Sequence, residues 1–543
     1  MNIYTRGGLI IMNNMRSSSY FIGVDVGTGS VRAAVFSESG KRLSLAVFPI
    51  KIFRPKENFV EQSSEDIWIK TCKAINKAVN EASVPISSIK GIGFDATCSL
   101  VALGNGFNQI SVSPTRSEEQ NIIVWMDHRA LKETVEINET EDEVLKYVGG
   151  RISPEMEIPK ILWVKRNLPK QYQKIRKFLD LADYMVYRSS GTDIRSVCTM
   201  TCKWTYLAHE KRWSDSLFKS IDLEDLFEEK RIGSKIEEVG MPAGYLTKEA
   251  ANDFGLTTNT VVAVGIIDAH SGGLGMVGLD PEHSLSIIAG TSSCHMAISK
   301  NPLFIQGVWG PYYGVILPGM WLNEGGQSTA GALLDHIVSD SACFSKLKQE
   351  AEQRGDSPYR LLDELIWQME KEDPYITKNF HLLGYFHGNR SPRANPYLKG
   401  MISGLTLNQT KEELAKKYLA AIQSVAYGTR HIIKALNEAG HQIKKIHMCG
   451  GTAKDKIWLR EHADITDCEI GLPQDLESVL MGGAMLAATA SGNFPNLYAA
   501  IQGMWAMGEK VLPRDSFKDY HDKKYKVFHE MYHDQIKYND MMK

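Results

Sequence analysis

The chain has 543 residues and a mass of 60.7 kDa, room for two or more domains at roughly 100–200 residues each. Its 62 lysines and arginines nearly cancel its 64 aspartates and glutamates, and a formal net charge of −2 offers no general attraction to nucleic acid or anionic lipid. Hydrophobic residues at 43% and charged residues at 23% are ordinary for a folded globular protein and exclude disorder as the dominant state.

Residues 1–19 are expected to form a flexible extension, with Met12 or Met15 as alternative starts; the apolar stretch Gly8–Met12 is too short for a signal-peptide core. No apolar run approaches the ~20 residues that span a bilayer, so no membrane association is expected. The 8 cysteines are scattered, and only Cys198 and Cys202 are close together, without a histidine pair of finger-like spacing. A reduced, cytoplasmic protein is the simplest reading.

Structure begins at Tyr20–Val26, followed by Gly27-Thr28-Gly29-Ser30 and Val31–Phe36. Two β-rich runs about a glycine turn predict a hairpin. Leu43–Phe48 predicts a third strand, Glu65 to Ala82 a helix, and Ile89–Phe94 a buried strand ending at Asp95-Ala96-Thr97-Cys98. Thr260–Ile267 is an apolar run ending at Asp268, and the small residues of Ala269–Met276 predict a tightly packed helix. Leu279-Asp280-Pro281 interrupts the pattern and places a lobe boundary near Gly278–Glu282. Then His283–Ala289, Gly290-Thr291-Ser292-Ser293 and Cys294–Ser299 repeat the arrangement of strand, Gly-Thr turn and strand. The recurrence predicts two related α/β lobes, each opening with a β-meander. Lys417–Asn437 predicts an amphipathic helix, leading to strand Lys445–Cys449 and Gly450-Gly451-Thr452-Ala453. The stretch from about Ser516 predicts a solvated terminal helix.

Phosphoryl transfer requires backbone N–H groups around phosphates, a metal bridging their oxygens and a positioned acceptor. Both Gly-Thr turns could supply the first, and Asp25 the carboxylate for Mg²⁺, although an ordinary hairpin explains each turn alone. Asp268 suits a base facing a substrate hydroxyl, or equally a helix cap. Gly450-Gly451-Thr452-Ala453 could approach an adenosine, with Gly482-Gly483-Ala484 as an opposing wall; close helix packing explains both groups as well. A GxGxxG fingerprint and a Walker A lysine motif are absent. Trp125-Met126-Asp127-His128-Arg129 suits a polyol, or a helix start with a surface charge pair, and Lys203-Trp204 and Glu324–Gln327 carry the same alternatives.

Seven segments in this order resemble the FGGY carbohydrate kinases, a branch of the superfamily that also holds actin, hexokinase and chaperone ATPases. They are Phe21–Ser30, Val124–Arg129, Pro159–Trp163, Gly265–Ala269, Ala289–Ser292, Asn323–Ser328 and Cys449–Lys454, and the resemblance covers about residues 20 to 491. It implies two actin-like (ribonuclease H-like) ATPase lobes with an inter-lobe cleft where ATP and sugar meet. Residues 20–280 would form the sugar-binding lobe with the catalytic base, 281–491 the nucleotide-binding lobe, and 492–543 a C-terminal helical extension.

By this resemblance Asp268 matches the catalytic base and Asp25 the Mg²⁺-associated carboxylate. Gly27, Thr28, Gly29, Gly290, Thr291 and Ser292 match the phosphate-binding turns, and Gly450, Gly451, Thr452 and Ala453 the adenosine motif. Lys203 and Glu324 fall where ribulokinases contact the sugar; Thr97, Cys98, Asp127, His128 and Asp268 are assigned to the same side. Gly93–Val101 is similar to the D-ribulokinase-like subgroup, while His387–Pro392 keeps only the core of the family's second signature. The implied activity is ATP- and Mg²⁺-dependent phosphorylation of a ketopentose, D-ribulose foremost. L-ribulose, D-xylulose or a related polyol are the alternative substrates; an actin-like or chaperone-like nucleotide switch and an idle sugar-binding scaffold are the rival classes. The family often forms dimers.

Overall fold

The computed structural model describes residues 18–543, so the expectation of a flexible extension and alternative starts falls almost wholly outside the described residues. Tyr20–Val26, Ser30–Ser37 and Arg42–Pro49 form an antiparallel meander. Ile89–Ala96 lies parallel to the first of these strands, Val261–Ala263 lies parallel to Ile89–Ala96, and Pro242–Tyr245 closes that edge antiparallel. The helix Ser64–Ala82 matches its sequence pattern: the Ser63 hydroxyl accepts from the Asp66 N–H, and the buried Ile67, Trp68, Ile75 and Val79 share one face.

The second sheet repeats the order. Ser284–Ala289, Ser293–Ser299 and Trp321–Gln327 are the meander, Lys445–Cys449 and Glu469–Pro473 are the parallel additions, and Met507–Val511 is the antiparallel edge. Trp309–Tyr313 extends the meander beyond the shared pattern. The duplication suggested by the two Gly-Thr turns therefore extends to sheet topology. Central strands buried on both faces require near-continuous apolar sequence, which is why these runs stand out in the chain.

Two elements differ from their sequence readings. The apolar run before Asp268 is not one strand: Val261–Ala263 ends, the chain turns through Gly265, and Ile266–Ile267 pairs again with Ile89–Ala96. A Cβ at Gly265 would lie 3.2 Å from the Phe94 carbonyl oxygen, so the close approach that causes the break favours glycine. The C-terminal stretch 492–543 is not helical throughout: its strand Met507–Val511 completes the second sheet. The terminal helix expected from about Ser516 is present at Lys518–Met541, with one face burying Tyr525, Phe528 and Met531 against Leu383, Tyr385 and Tyr427.

The helix Ser478–Ala490 joins the lobes. It belongs in sequence to the second half yet lies against the first sheet, where Cβ atoms at Gly23 and Gly93 would sit 2.0 Å from the Leu480 oxygen and 2.1 Å from the Gly483 oxygen. Gly482 is equally close to Ser271, on the helix Asp268–Leu274. Close packing thus accounts for Gly482 and Gly483.

Candidate active site

Three carboxylates meet where strands of the first sheet end. Asp25 and Asp95 are register partners on parallel neighbours, and Ile266 is the partner of Asp95 on its other side. The short strand Ile266–Ile267 therefore delivers Asp268 to the same end, as the first residue of the helix Asp268–Leu274. Asp268 does not act as a side-chain cap. Its Oδ1 accepts from the neighbouring Ala269 N–H at 2.6 Å, and the residue is half-buried.

The three carboxylates have unequal support. Asp25 is paired with Arg32, its cross-strand partner, whose Nε donates at 2.7 Å; Arg32 also reaches Glu477 at 2.7 Å. Asp95 is fully buried, and neither carboxylate oxygen has a hydrogen-bond partner. Burial, with the charges of Asp25 and Asp268, holds its proton affinity well above the usual carboxylate range. Burial pushes Asp268 up to about 6, and Asp25 adds to the effect. A cluster of oxygen donors with two unpartnered atoms fits a hard divalent cation such as Mg²⁺. Asp95 was not singled out as a site residue from sequence; its position at the end of a buried strand, like that of Asp25, was the available signal.

The two turns are built differently. In the first, Gly27 N–H donates to the Ser30 carbonyl, while Gln62 and Trp125 fix the Thr28 carbonyl and hydroxyl at 2.7 and 3.0 Å. In the second, the Thr291 carbonyl accepts from Ala330 and Ala332 N–H, at the start of the helix Gly331–Ser339, and Ser292 is half-buried. A Cβ at Gly29 would meet nothing within 4 Å, and one at Gly290 only the Ser292 oxygen at 3.9 Å. Neither glycine is required by internal packing, which leaves room for a ligand to approach the backbone.

Gly450 has φ +101°, and a Cβ there would lie 2.2 Å from the Ala289 oxygen, so it serves the turn itself. Gly451 and Thr452 line a cavity of about 330 Å³ together with Tyr359, Asp363 and Tyr418. Ala453 is buried in the second lobe's core and supports this wall without lining it. A larger cavity of about 630 Å³ lies along the lobe seam beside Arg42, Asp475 and Glu477, but none of the three site carboxylates lines it.

Around Glu324, on strand Trp321–Gln327, lies a polar group drawn from both lobes. Its Oε1 accepts from Arg390 at 2.9 Å and its Oε2 lies 3.3 Å from His270 Nε2. Burial opposes the Glu324 charge, but the His270 hydrogen bond and the Arg390 charge outweigh it and lower its pKa to about 2. Arg390 and Lys203 both lie over the Trp309 ring, at 4.1 and 4.8 Å from its centroid. Arg390 comes from His387–Pro392, the segment that keeps only the core of the second signature, and it reaches Glu324. Arg390, His270 and Trp309 were missed from sequence because long chain separations bring them together.

Other expected sugar contacts are less open. Asp127 is fully buried, with Oδ1 accepting from Arg129 backbone and Nε and Oδ2 from Val60 N–H and the Arg129 guanidinium. All its acceptor capacity serves the fold, which corrects its assignment to the sugar. Thr97 is buried, with its hydroxyl 3.0 Å from that of Ser99, and burial pushes the Cys98 thiol up to about 12. His128 is half-buried beside Asp127.

Comparisons with known proteins agree with this arrangement. Residues 20–275 match the N-terminal domain of the FGGY family of carbohydrate kinases, and residues 285–491 match its C-terminal domain. A human FGGY carbohydrate kinase domain-containing protein is 45% identical over 96% of this chain and 98% of its own length. A D-ribulokinase of Saccharomyces cerevisiae is 39% identical over 88% of this chain and 72% of its own. The xylulose kinase structure from Rhodospirillum rubrum shares the fold, with a TM-score of 0.79 at 20% identity, covering 96% of this chain and 99% of that one. Two duplicated actin-like lobes, three carboxylates at one sheet end and both family domains in register lead to one assignment: the chain belongs to the FGGY family of carbohydrate kinases.

Proposed function

We propose that this carbohydrate kinase transfers the γ-phosphoryl group of ATP to the terminal 5-hydroxyl of D-ribulose. The observation that carries the chemistry is Asp268, half-buried at a strand end beside Asp25 and Asp95, with its pKa raised to about 6. A carboxylate poised there accepts the hydroxyl proton as the oxygen attacks, since a base works best with a pKa near the working pH. The choice of sugar is supported by the yeast relative's name and by the segment Gly93–Val101.

Backbone N–H groups of the Gly27–Ser30 and Gly290–Ser293 turns are assigned to the phosphates, where open space above Gly29 and Gly290 permits approach. Gly451, Thr452, Tyr359 and Asp363 are assigned to the adenosine. Lys203, Glu324 and Arg390 hold the sugar hydroxyls; a site built from such groups rejects substrates that leave them unpaired. Asp25 and Asp95 would hold Mg²⁺, which when bound neutralises phosphate oxygens. Among the described residues no helix is long and apolar enough to cross a membrane, and all eight cysteines are free.

The test is an ADP-release assay with purified protein, ATP, Mg²⁺ and each ketopentose in turn. The highest kcat/KM is expected for D-ribulose. A tenfold preference for L-ribulose or D-xylulose would replace the sugar named here while keeping the kinase chemistry, and ATP turnover indifferent to every sugar would remove both.

A further inference from the structure

Beside Glu324 lies a group that phosphoryl transfer does not use. Cys198 and Cys202 are one turn apart on the helix Val197–Trp204, so both sulfurs emerge on one face. His270, 68 residues beyond Cys202, comes to that face from the helix Asp268–Leu274. Its Nδ1 is 3.0 Å from the Cys198 sulfur and 3.9 Å from the Cys202 sulfur, and all three donor atoms lie within 4.8 Å of one another. The three residues are buried, at 0%, 1% and 1% exposure, so the cluster is shielded from bulk water.

The other ring nitrogen is fixed independently. His270 Nε2 faces Glu324 Oε2 at 3.3 Å, the carboxylate–histidine relation that sets the tautomer of a metal-bound imidazole and leaves Nδ1 free to ligate. Bond lengths of about 2.3 Å to sulfur and 2.0–2.1 Å to nitrogen place neighbouring donors of a tetrahedral zinc roughly 3.5–3.8 Å apart. The two sulfur–nitrogen separations bracket that range. A set of two thiolates and an imidazole selects a thiophilic cation, whereas the carboxylates of Asp25 and Asp95 suit a hard one, so the sites need not compete.

We propose that Cys198, Cys202 and His270 form a binding site for one divalent cation of the zinc class, with Glu324 orienting the histidine. The helix Val197–Trp204 presents both sulfurs to the His270 Nδ1 from one face, so the three donor atoms already converge on one point. Ligation needs both sulfurs as thiolates and an unprotonated Nδ1, so cation uptake releases to solvent whatever protons these three atoms carry. Any resulting change in sugar affinity rests on the kinase reading above; the cation site does not.

Full-length protein in Mg²⁺ buffer without sugar is titrated with Co²⁺ as a spectroscopic probe, then with Zn²⁺. One Co²⁺ per chain is expected, with a thiolate-to-cobalt band in the near ultraviolet and tetrahedral bands in the visible, both removed by one equivalent of Zn²⁺. Cys202→Ser and His270→Gln are each expected to weaken Zn²⁺ binding at least tenfold, whereas Cys72→Ser leaves it unchanged. Failure of the wild-type protein to bind one Co²⁺ with a thiolate band overturns the site, whatever the variants' folding. A thiolate band that survives in both folded variants overturns it as well.

Discussion

Asp25 and Asp95 are paired in register on adjacent parallel strands, yet only Asp25 has a cationic partner, Arg32. Asp95 is instead kept protonated by burial and by its neighbours. Its raised pKa means that the folded protein retains a proton which the unfolded chain releases above the ordinary carboxylate range near pH 4. Stability contributed at low pH is therefore lost as pH rises toward the folded-state pKa. Asp95→Asn removes that loss, so in Mg²⁺-free buffer its Tm should exceed the wild-type value by a margin that grows as pH rises above about 4. Thermal melts at several pH values check this; a margin independent of pH would show that Asp95 carries no trapped proton. The same variant should need a severalfold higher Mg²⁺ concentration for half-maximal activity.

Asp268→Asn should lower kcat by about 10²–10⁴, the usual contribution of a general base, while sugar KM changes little. Because the active form of Asp268 is the carboxylate, wild-type kcat/KM should fall tenfold per pH unit below about 6 and level off above it. Steady-state kinetics from pH 4.5 to 8.5 test both points together. Retention of the acidic limb in the asparagine variant would assign that titration to another group.

Arg390→Ala should raise sugar KM about tenfold or more while ATP KM stays within twofold. It removes the cation on Glu324 Oε1 and the guanidinium stacked on Trp309, leaving His270 as the carboxylate's remaining partner. Breaking a buried pair leaves an uncompensated charge, so a lower Tm is expected as well. The KM split distinguishes a sugar contact from a purely structural role, which would lower the active fraction without changing either KM.

The sequence made the scaffold legible because its signals are local. Buried parallel strands are continuous apolar runs, and the two Gly-Thr turns marked the duplication that both sheets display. Asp25 and Asp268 stood out because each directly follows or ends such a run. Asp95 occupies an equivalent strand end but lacks a glycine turn to draw notice. Asp127 shows the opposite difficulty: its residue type suits a polyol, but only the fold reveals that Arg129 and Val60 use both its oxygens. His270 meets Cys198 across 72 residues and Arg390 meets Glu324 across 66, contacts with no periodicity to betray them.

Two glycine substitutions should separate folding from phosphate binding. A Cβ at Gly23 would lie 2.0 Å from the Leu480 carbonyl oxygen, and the helix carrying Leu480 also packs Gly482 against Ser271. Gly23→Ala must therefore displace strand or helix, at an overpacking cost of about 1–3 kcal/mol. The displacement reaches the helix that begins with Asp268, so both Tm and kcat should fall. At Gly29 the added carbon meets nothing within 4 Å, and the residue is not among the glycines with positive φ. Gly29→Ala should leave Tm within about a degree of wild type, because surface changes that touch no special feature are nearly neutral. If phosphates rest against this turn, the methyl group occupies their space, and ATP KM should rise severalfold at constant sugar KM. Melting curves and two-substrate kinetics on both variants measure this contrast; an unchanged ATP KM in Gly29→Ala would detach the first turn from the nucleotide.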